Sequence, residues 1–211
     1  NFSAPATGYT FQGWATSLAS AQAGTVDYTN GQSVTNLSST NGDTVNLYAV
    51  WSRTLTYYSG INKAKTDTHT QIYGDDTSSH VVDVNSITGW NLIGWRSNTT
   101  PSTSNATQWD YTSNTTVFYA VYSRNLSITY NGNGNTSGSV PSNTTKTQYY
   151  NSGGNITQSL SYTLATNTGS LAKTGHTFNG WDLGSAGGTY TWSSLPAVGT
   201  RTGLTKTAYA D

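Results

Sequence analysis

The chain has 211 residues, a net charge of zero and only 9% charged side chains. That lies far below the roughly 25% of an ordinary soluble domain and leaves no basic footprint for nucleic acid or an acidic membrane surface. Cysteine and methionine are both absent, which removes disulfides, thiolate metal sites and cysteine nucleophiles together.

All nine acidic residues are Asp, and Ser, Thr, Asn and Gly supply most of the polarity. Such a composition borders on disorder. Against disorder stand seven Trp and fifteen Tyr, spaced too regularly for a linker. No stretch reads as a signal peptide, a membrane span or a sorting tail, and without an initiator Met the chain reads as an internal piece of a longer polypeptide. The lack of oxidisable Cys and Met fits an exported bacterial protein, extracellular or at the cell surface.

In chain order, Thr7–Trp14 is a candidate strand, followed by small residues from Ala15 to Gly24. Val26–Thr29 leads into the turn dipeptide Asn30-Gly31, and Asn41-Gly42-Asp43 forms another turn. Val45–Trp51 alternates as a strand does, with Val45, Leu47, Ala49 and Trp51 on one face. Thr54–Tyr58 is a short strand, and Thr68–Tyr73 and Ser79–Val84 are further candidates. Thr88–Trp95 and Thr116–Ser123 then repeat the earlier pair, while Trp109–Thr112 matches Val26–Thr29. Asn125–Tyr130 opens a third series, with Asn131–Gly134 as its turn. Thr144–Tyr150, Ile156–Leu164, Tyr190–Trp192 and Leu204–Ala210 are its other strand candidates. Helical spacing is scarce, and Thr, Asn and Gly form helices poorly. A single turn around Leu171–Lys173 is the most that is expected.

One phrase organises this order. Thr7-Gly8-Tyr9-Thr10-Phe11-Gln12-Gly13-Trp14 returns as Thr88-Gly89-Trp90-Asn91-Leu92-Ile93-Gly94-Trp95 and as Thr174-Gly175-His176-Thr177-Phe178-Asn179-Gly180-Trp181. Recurrence at long intervals marks a tandem array. It divides the chain into residues 1–52, 53–123 and 124–211, the first lacking its opening strands. No linker sits at Ser52/Arg53 or Ser123/Arg124, which predicts a stiff array. Units of about 70 residues have small cores, so Trp14, Trp95 and Trp181 are expected inside. Gly before Trp predicts a bulge or a close backbone approach, and Thr-Gly a turn at positive φ.

The phrase, the closing Leu47-Tyr48-Ala49-Val50-Trp51 and the opening Ile128-Thr129-Tyr130-Asn131-Gly132-Asn133-Gly134 together resemble the Listeria–Bacteroides repeat, the B-repeat type of internalin-like surface proteins. Trp90 and Leu92 depart from its usual Tyr and Phe. Leu204–Asp211 lacks the terminal Trp, with Lys206–Ala210 as a degraded closing phrase. The resemblance implies small β-grasp-like (ubiquitin-like) modules in tandem, acting as stalks, spacers or adhesive segments. It brings no catalytic residues.

The residues that could carry chemistry are few. His69, His80 and His176 have no metal-ligand spacing. His176 fills a place held by Tyr9 and Trp90, which predicts packing. Asp67, Asp75, Asp76 and Asp83 gather in the second repeat but lack a calcium-loop pattern. Asp27 and Asp110 are repeat-equivalent and read as turn or cap groups rather than a glycosidase pair. No G-x-S-x-G, P-loop or dinucleotide fingerprint occurs, so no enzyme, cofactor or metal is expected. Lys63, Lys65, Lys146, Lys173 and Lys206 are candidates for a covalent cross-link to Asn or Asp. Sequons at Asn98, Asn105, Asn114 and Asn143 are about as frequent as the composition alone yields.

Two functions compete. The first is a non-enzymatic stalk or fibre segment whose partners are the neighbouring repeat units. The second is a module that binds a host glycan or protein through exposed aromatics, with Tyr57, Tyr58, Tyr149, Tyr150 and Trp192 as the candidates. The missing opening strand of the first unit is either a truncation or a site of assembly with itself by strand donation.

Overall fold

Alternating Thr, Tyr and aliphatic residues favour strands, and the computed structural model, which describes residues 3–75, 81–105 and 110–211, is mainly β. Its strands are β1 (Thr10–Ala15), β2 (Tyr48–Ser59), β3 (Lys65–Ile72), β4 (Asn91–Arg96), β5 (Val117–Asn131), β6 (Thr144–Asn151), β7 (Leu160–Thr163), β8 (Thr189–Trp192) and β9 (Thr205–Tyr209). Seven of them form one mixed sheet with the path β1-β2-β5-β4, in which β3 joins β2, and β6 and β9 join β5. Strands β7 and β8 form a separate antiparallel pair.

The two long strands decide the architecture. β2 runs through Ser52/Arg53 and β5 through Ser123/Arg124 without a break. The first half of each pairs antiparallel with a phrase strand. Trp14 opposes Ala49 in one pair, and Trp95 opposes Ala120 in the other. The second half pairs with a new antiparallel neighbour, so that Arg53 opposes Gln71 and Arg124 opposes Gln148. The junctions are therefore continuous strand rather than short connections.

Both phrase strands carry a register shift, between Phe11 and Gly13 and between Leu92 and Gly94. The glycine there is a steric requirement. A Cβ on Gly13, at φ 153°, would lie 2.5 Å from Val26 Cγ1 and 2.7 Å from the Tyr28 carbonyl oxygen. That carbonyl accepts the Trp14 N–H at 2.8 Å. At Gly94 the crossing group is Ser104 Oγ, 2.5 Å from the virtual Cβ, and it accepts the Trp95 N–H at 3.2 Å. A crossing segment thus fixes the Trp backbone from below in each case. The Thr-Gly turns hold positive φ, at 81°, 82° and 77° for Gly8, Gly89 and Gly175.

The third phrase pairs differently. Against the opening strand, β9 keeps the earlier register: Ser127 N–H donates to the Leu204 carbonyl as Thr56 N–H donates to that of Thr116. Against the phrase it has slid by two residues, because Trp181 opposes Ala210 rather than Ala208. An even slip leaves every side chain on its own face, and Ala208 stays fully buried.

Three clusters form the interior. One gathers Leu55, Tyr57, Trp90, Trp95, Phe118, Tyr122 and Tyr150. A second gathers Leu126, Ile128, Tyr130, Tyr162, Trp181 and Trp192. The third holds only Ala15, Ala21 and Val50, with Tyr48 against them. Trp95 and Trp181 are buried, but Trp14 is only half-buried. Tyr57 packs on Trp95 at 5.3 Å and Tyr130 on Trp181 at 4.7 Å, whereas Trp14 meets Phe11 edge-on at 5.1 Å.

Several expected elements differ. The helix α1 (Leu18–Gln22) follows the first phrase, capped by the Ser17 side chain, which accepts the Ser20 N–H at 3.0 Å. At Leu171–Lys173 no helical turn forms, because the Ala172 backbone pairs with Ser137. Residues 81–84 are not a strand; the Asp83 N–H is instead held by Asp67 Oδ2 at 2.9 Å. Ser79 and His80 lie outside the described residues, as do Asp76 and Trp109.

Candidate functional site

The most elaborate polar construction in the molecule sits at the two junctions. Arg53 and Arg124 each begin the second half of a long strand and are 4% and 5% exposed. A buried guanidinium needs partners for its five N–H groups. Arg124 Nε donates to Gln148 Oε1 at 2.8 Å. Its Nη2 donates to the carbonyls of Pro196 at 2.6 Å and Ala197 at 3.0 Å, and its Nη1 to that of Thr200. The guanidinium carbon stands 4.2 Å from the centre of the Trp90 ring.

Arg53 repeats the plan. Its Nε donates to Gln71 Oε1 at 2.9 Å, its Nη2 to the Asp110 carbonyl at 3.0 Å, and its Nη1 to the carbonyls of Ser113 and Thr7. It lies 4.6 Å from the centre of the Tyr9 ring. Each arginine therefore gathers four pieces of chain: the strand that bears it, the neighbouring strand that carries Gln71 or Gln148, the aromatic of the preceding phrase, and a later loop. None of these partners is a carboxylate. The charge is met by carbonyl dipoles and a ring face, an arrangement for which the planar fork of Arg is suited and the ammonium of Lys is not. Burial pulls the Arg124 pKa below its ordinary value.

The two latches differ in one detail. Gln148 Nε2 donates to the Thr157 and Pro196 carbonyls, at 3.3 and 3.1 Å. Gln71 Nε2 is buried with no hydrogen-bond partner among the described residues. The third aromatic place is also different. His176 is exposed, beside an open cavity of ≈ 280 Å³ that Phe178, Lys173 and Asp211 also line. The expected packing role of His176 is not seen, since its side chain is exposed.

Tyr9 illustrates the electrostatics. Its hydroxyl donates to the Tyr111 carbonyl at 3.1 Å and to Gln71 Oε1 at 3.3 Å. Burial pushes its pKa up to about 12, against the opposing pull of Arg53. Tyr162 is pushed up to about 12 by burial as well, and Tyr57, Tyr122 and Tyr150 are raised for the same reason. A folded-state pKa raised above the unfolded value of 10.0 favours the neutral phenol. The resulting stability is complete below pH 10.0 and is lost as pH rises toward about 12. The midpoint of urea unfolding is therefore expected to fall steeply from pH 10 upward, in step with late ionisation of tyrosines read by absorbance at 295 nm. Tyrosines that all ionise at their ordinary pH, with no loss of stability, would contradict this.

The other sequence candidates fall into place around these latches. Asp27 accepts the Thr16 N–H and hydroxyl, both at 2.7 Å, and Asp110 accepts the Thr112 N–H at 2.9 Å and its hydroxyl. The hydroxyl bonds, then the backbone bonds, hold both carboxyls below their usual pKa. Each is a turn group. Asp67 and Asp83 come together, and Lys65 pairs with Asp83. Among the described residues no group of three His or Asp side chains could hold a metal. Of the aromatics expected on the surface, Tyr57, Tyr150 and Trp192 are buried, each inside one of the two large clusters. Tyr58 and Tyr149 are half-buried. Tyr58 stacks on Tyr119 at 5.5 Å, with Lys63 Nζ 5.0 Å from its ring centre. Among the lysines, Lys63 and Lys146 are exposed, Lys173 donates to the Asn133 carbonyl at 3.0 Å, and Lys206 lies over Tyr190 and Trp192.

No family model, curated protein or solved structure matches this chain. The latches therefore have to be read from their own chemistry. The arginines were visible in the sequence only as the residue after each Ser; their burial was not. The signal that could have found them is a shared order, not a shared spacing: an Arg directly after Ser is followed by a strand Gln, 18 residues on for Gln71 and 24 for Gln148.

Proposed function

We propose that this chain is a load-bearing segment of a bacterial surface or secreted stalk, built from tandem units of the β-grasp-like Listeria–Bacteroides repeat type, and that it is not an enzyme. One observation carries the reading. Each junction is a continuous strand, closed over by a buried arginine that ties the units on either side together. A hinge would need few contacts and a solvated linker; these junctions have neither. Resistance to pulling is the property such a junction supplies, since extension must shear β-ladders and extract a buried guanidinium. The near-absence of charge and the lack of Cys and Met suit an extracellular setting. The neighbouring units of the same chain are its principal partners.

Single-molecule pulling between the two termini tests this. Force peaks are expected for the units around the two large clusters, and Arg124→Ala should lower the peak that reports the second junction. A chain that extends smoothly at low force, with no peak, would remove the stalk reading.

A further inference from the structure

The two parallel strand pairs differ at one surface spot. Where β2 meets β5, Tyr58 lies opposite Tyr119; where β5 meets β9, Thr129 lies opposite Thr207. The threonines meet through their hydroxyls at 3.3 Å. The tyrosines stack at 5.5 Å between ring centres, and Lys63 Nζ stands 5.0 and 5.4 Å from the two rings. The ammonium and the two rings thus form a nearly equilateral triangle on the sheet face. Both tyrosines are half-buried and Lys63 is exposed.

The backbone that carries the lysine is strained. Asn62 and Lys63 have φ of 53° and 61°, two successive left-handed residues of which neither is glycine. The turn after β5 bends the same way with Asn133 and Gly134, at 48° and 77°. Lys63 therefore stands where the other turn has glycine. A side chain in that conformation is less stable than glycine, and an exposed cation–π contact offsets at most part of the difference. Two outside bonds hold the turn: Asn62 N–H donates to the Tyr150 hydroxyl at 2.7 Å and Lys63 N–H to the Ser152 carbonyl at 2.8 Å. A strained residue kept in place by its surroundings points to use rather than stability.

The face around the triangle is positive. Thr66 lies opposite Tyr58 and Arg96 opposite Tyr119, so the row Thr66–Tyr58–Tyr119–Arg96 crosses four strands on one face. Arg96 donates to Asn98 Oδ1 at 3.0 Å and to the Thr103 carbonyl at 2.6 Å, both neutral acceptors. Lys63 meets no carboxylate and donates no side-chain hydrogen bond among the described residues. Asp67 opposes Tyr57 and so belongs to the other face. At this row β2 is flanked by β3 and β5, and β5 by β2 and β4. No backbone edge is open there, so a partner meets side chains alone.

We propose that Tyr58, Tyr119, Lys63 and Arg96 form a surface site for an acidic saccharide, a pyranose ring that carries a carboxylate or a sulfate. The C–H face of the sugar lies against the exposed tyrosine rings, amphipathic groups suited to a half-wet contact. Its anionic group meets the Lys63 ammonium in a charge-assisted hydrogen bond. Arg96 extends the positive charge at one end of the row, and Thr66 offers a hydroxyl at the other. The unpaired charge selects an anion and the ring faces select a sugar; an acidic peptide adding as a strand would need an open edge. The site stands apart from the stalk reading, since it uses the sheet face and not the junctions.

The test titrates the full chain by isothermal calorimetry with a heparin octasaccharide and a hyaluronan octasaccharide, which separate sulfate from carboxylate recognition. Saturable binding of at least one is expected, tighter at low salt, and none of neutral dextran. Lys63→Gly, which copies the turn after β5, should weaken it by about tenfold, the effect of losing one charge-assisted contact. The double variant Tyr58→Thr with Tyr119→Thr, which copies the Thr129–Thr207 pair, should weaken it by a similar factor. Both variants restore combinations that the chain already uses. Lys63→Gly should keep or raise the urea midpoint, which separates loss of binding from loss of fold. Lys146→Ser, on β6, should leave binding unchanged. No saturable binding of either saccharide, or undiminished binding by either site variant, would overturn the site. So would polyglutamate that binds as tightly as the saccharides, since the face would then read charge alone. Each of those failures leaves the force peaks of the stalk untouched, so the two readings fail separately.

Discussion

Arg124→Ala is expected to cost about 3–5 kcal/mol of unfolding free energy, among the largest losses open to a single surface-to-core contact in this chain. The substitution removes the donor from three carbonyls at once, those of Pro196, Ala197 and Thr200, and from Gln148 Oε1. It also uncovers one face of Trp90, whose indole N–H is tied to the Val198 carbonyl at 2.9 Å in the same loop. Urea unfolding followed by far-ultraviolet circular dichroism reads the loss as a fall in midpoint. Arg124→Lys decides the mechanism. If the site needed only a positive charge, Lys would restore it. Because the site consists of neutral acceptors spread around a planar fork, Lys is expected to recover less than half of the loss. A Lys variant close to the parent in stability would show that charge, rather than the fork, holds the junction. Trp90→Ala and the double variant complete a cycle. Their losses should be clearly less than additive, since both side chains serve one contact.

The phrase was legible in the sequence because its residues obey local rules. Glycine has to occupy Gly8, Gly13, Gly89 and Gly94 on grounds of φ and close approach, and the period-two alternation of Val117–Tyr122 marks a strand whatever it packs against. The mainly β class, the absence of linkers and the register shifts before Trp14 and Trp95 follow from those rules. The latches were not legible. In the sequence Arg53 and Arg124 are only the residues that follow Ser52 and Ser123, and burial of a charge is a tertiary event that depends on loops about 60 to 75 residues away. Tyr57, Tyr150 and Trp192 were misplaced on the surface for a related reason. They lie outside the repeated phrase, but their strands form the opposite wall of the same clusters. His176 differs in the other direction: it shares the phrase position of Tyr9 and Trp90, which are buried, but is itself exposed.

The three phrase tryptophans offer a graded experiment on how much each phrase depends on the cluster beside it. Trp181 is 3% exposed, packs on Tyr130 and Phe178, and donates its indole N–H to the Ala165 carbonyl at 2.8 Å. Trp95 is 7% exposed against Tyr57. Truncating either to Ala removes a large buried ring from a cluster that cannot close over the gap, and should cost about 3–5 kcal/mol. Trp181 adds an orphaned carbonyl at Ala165, so it is expected at the upper end. Trp14 is half-buried, packed edge-on against Phe11 at 5.1 Å. It belongs to the unit whose cluster holds only three buried residues, so Trp14→Ala should cost only about 1–2 kcal/mol, the loss of part of one ring's burial. Urea midpoints for the three variants, measured under one set of conditions, give the ranking Trp181 ≥ Trp95 > Trp14. Equal losses at all three would mean that the small cluster holds its tryptophan as firmly as the two large clusters hold theirs.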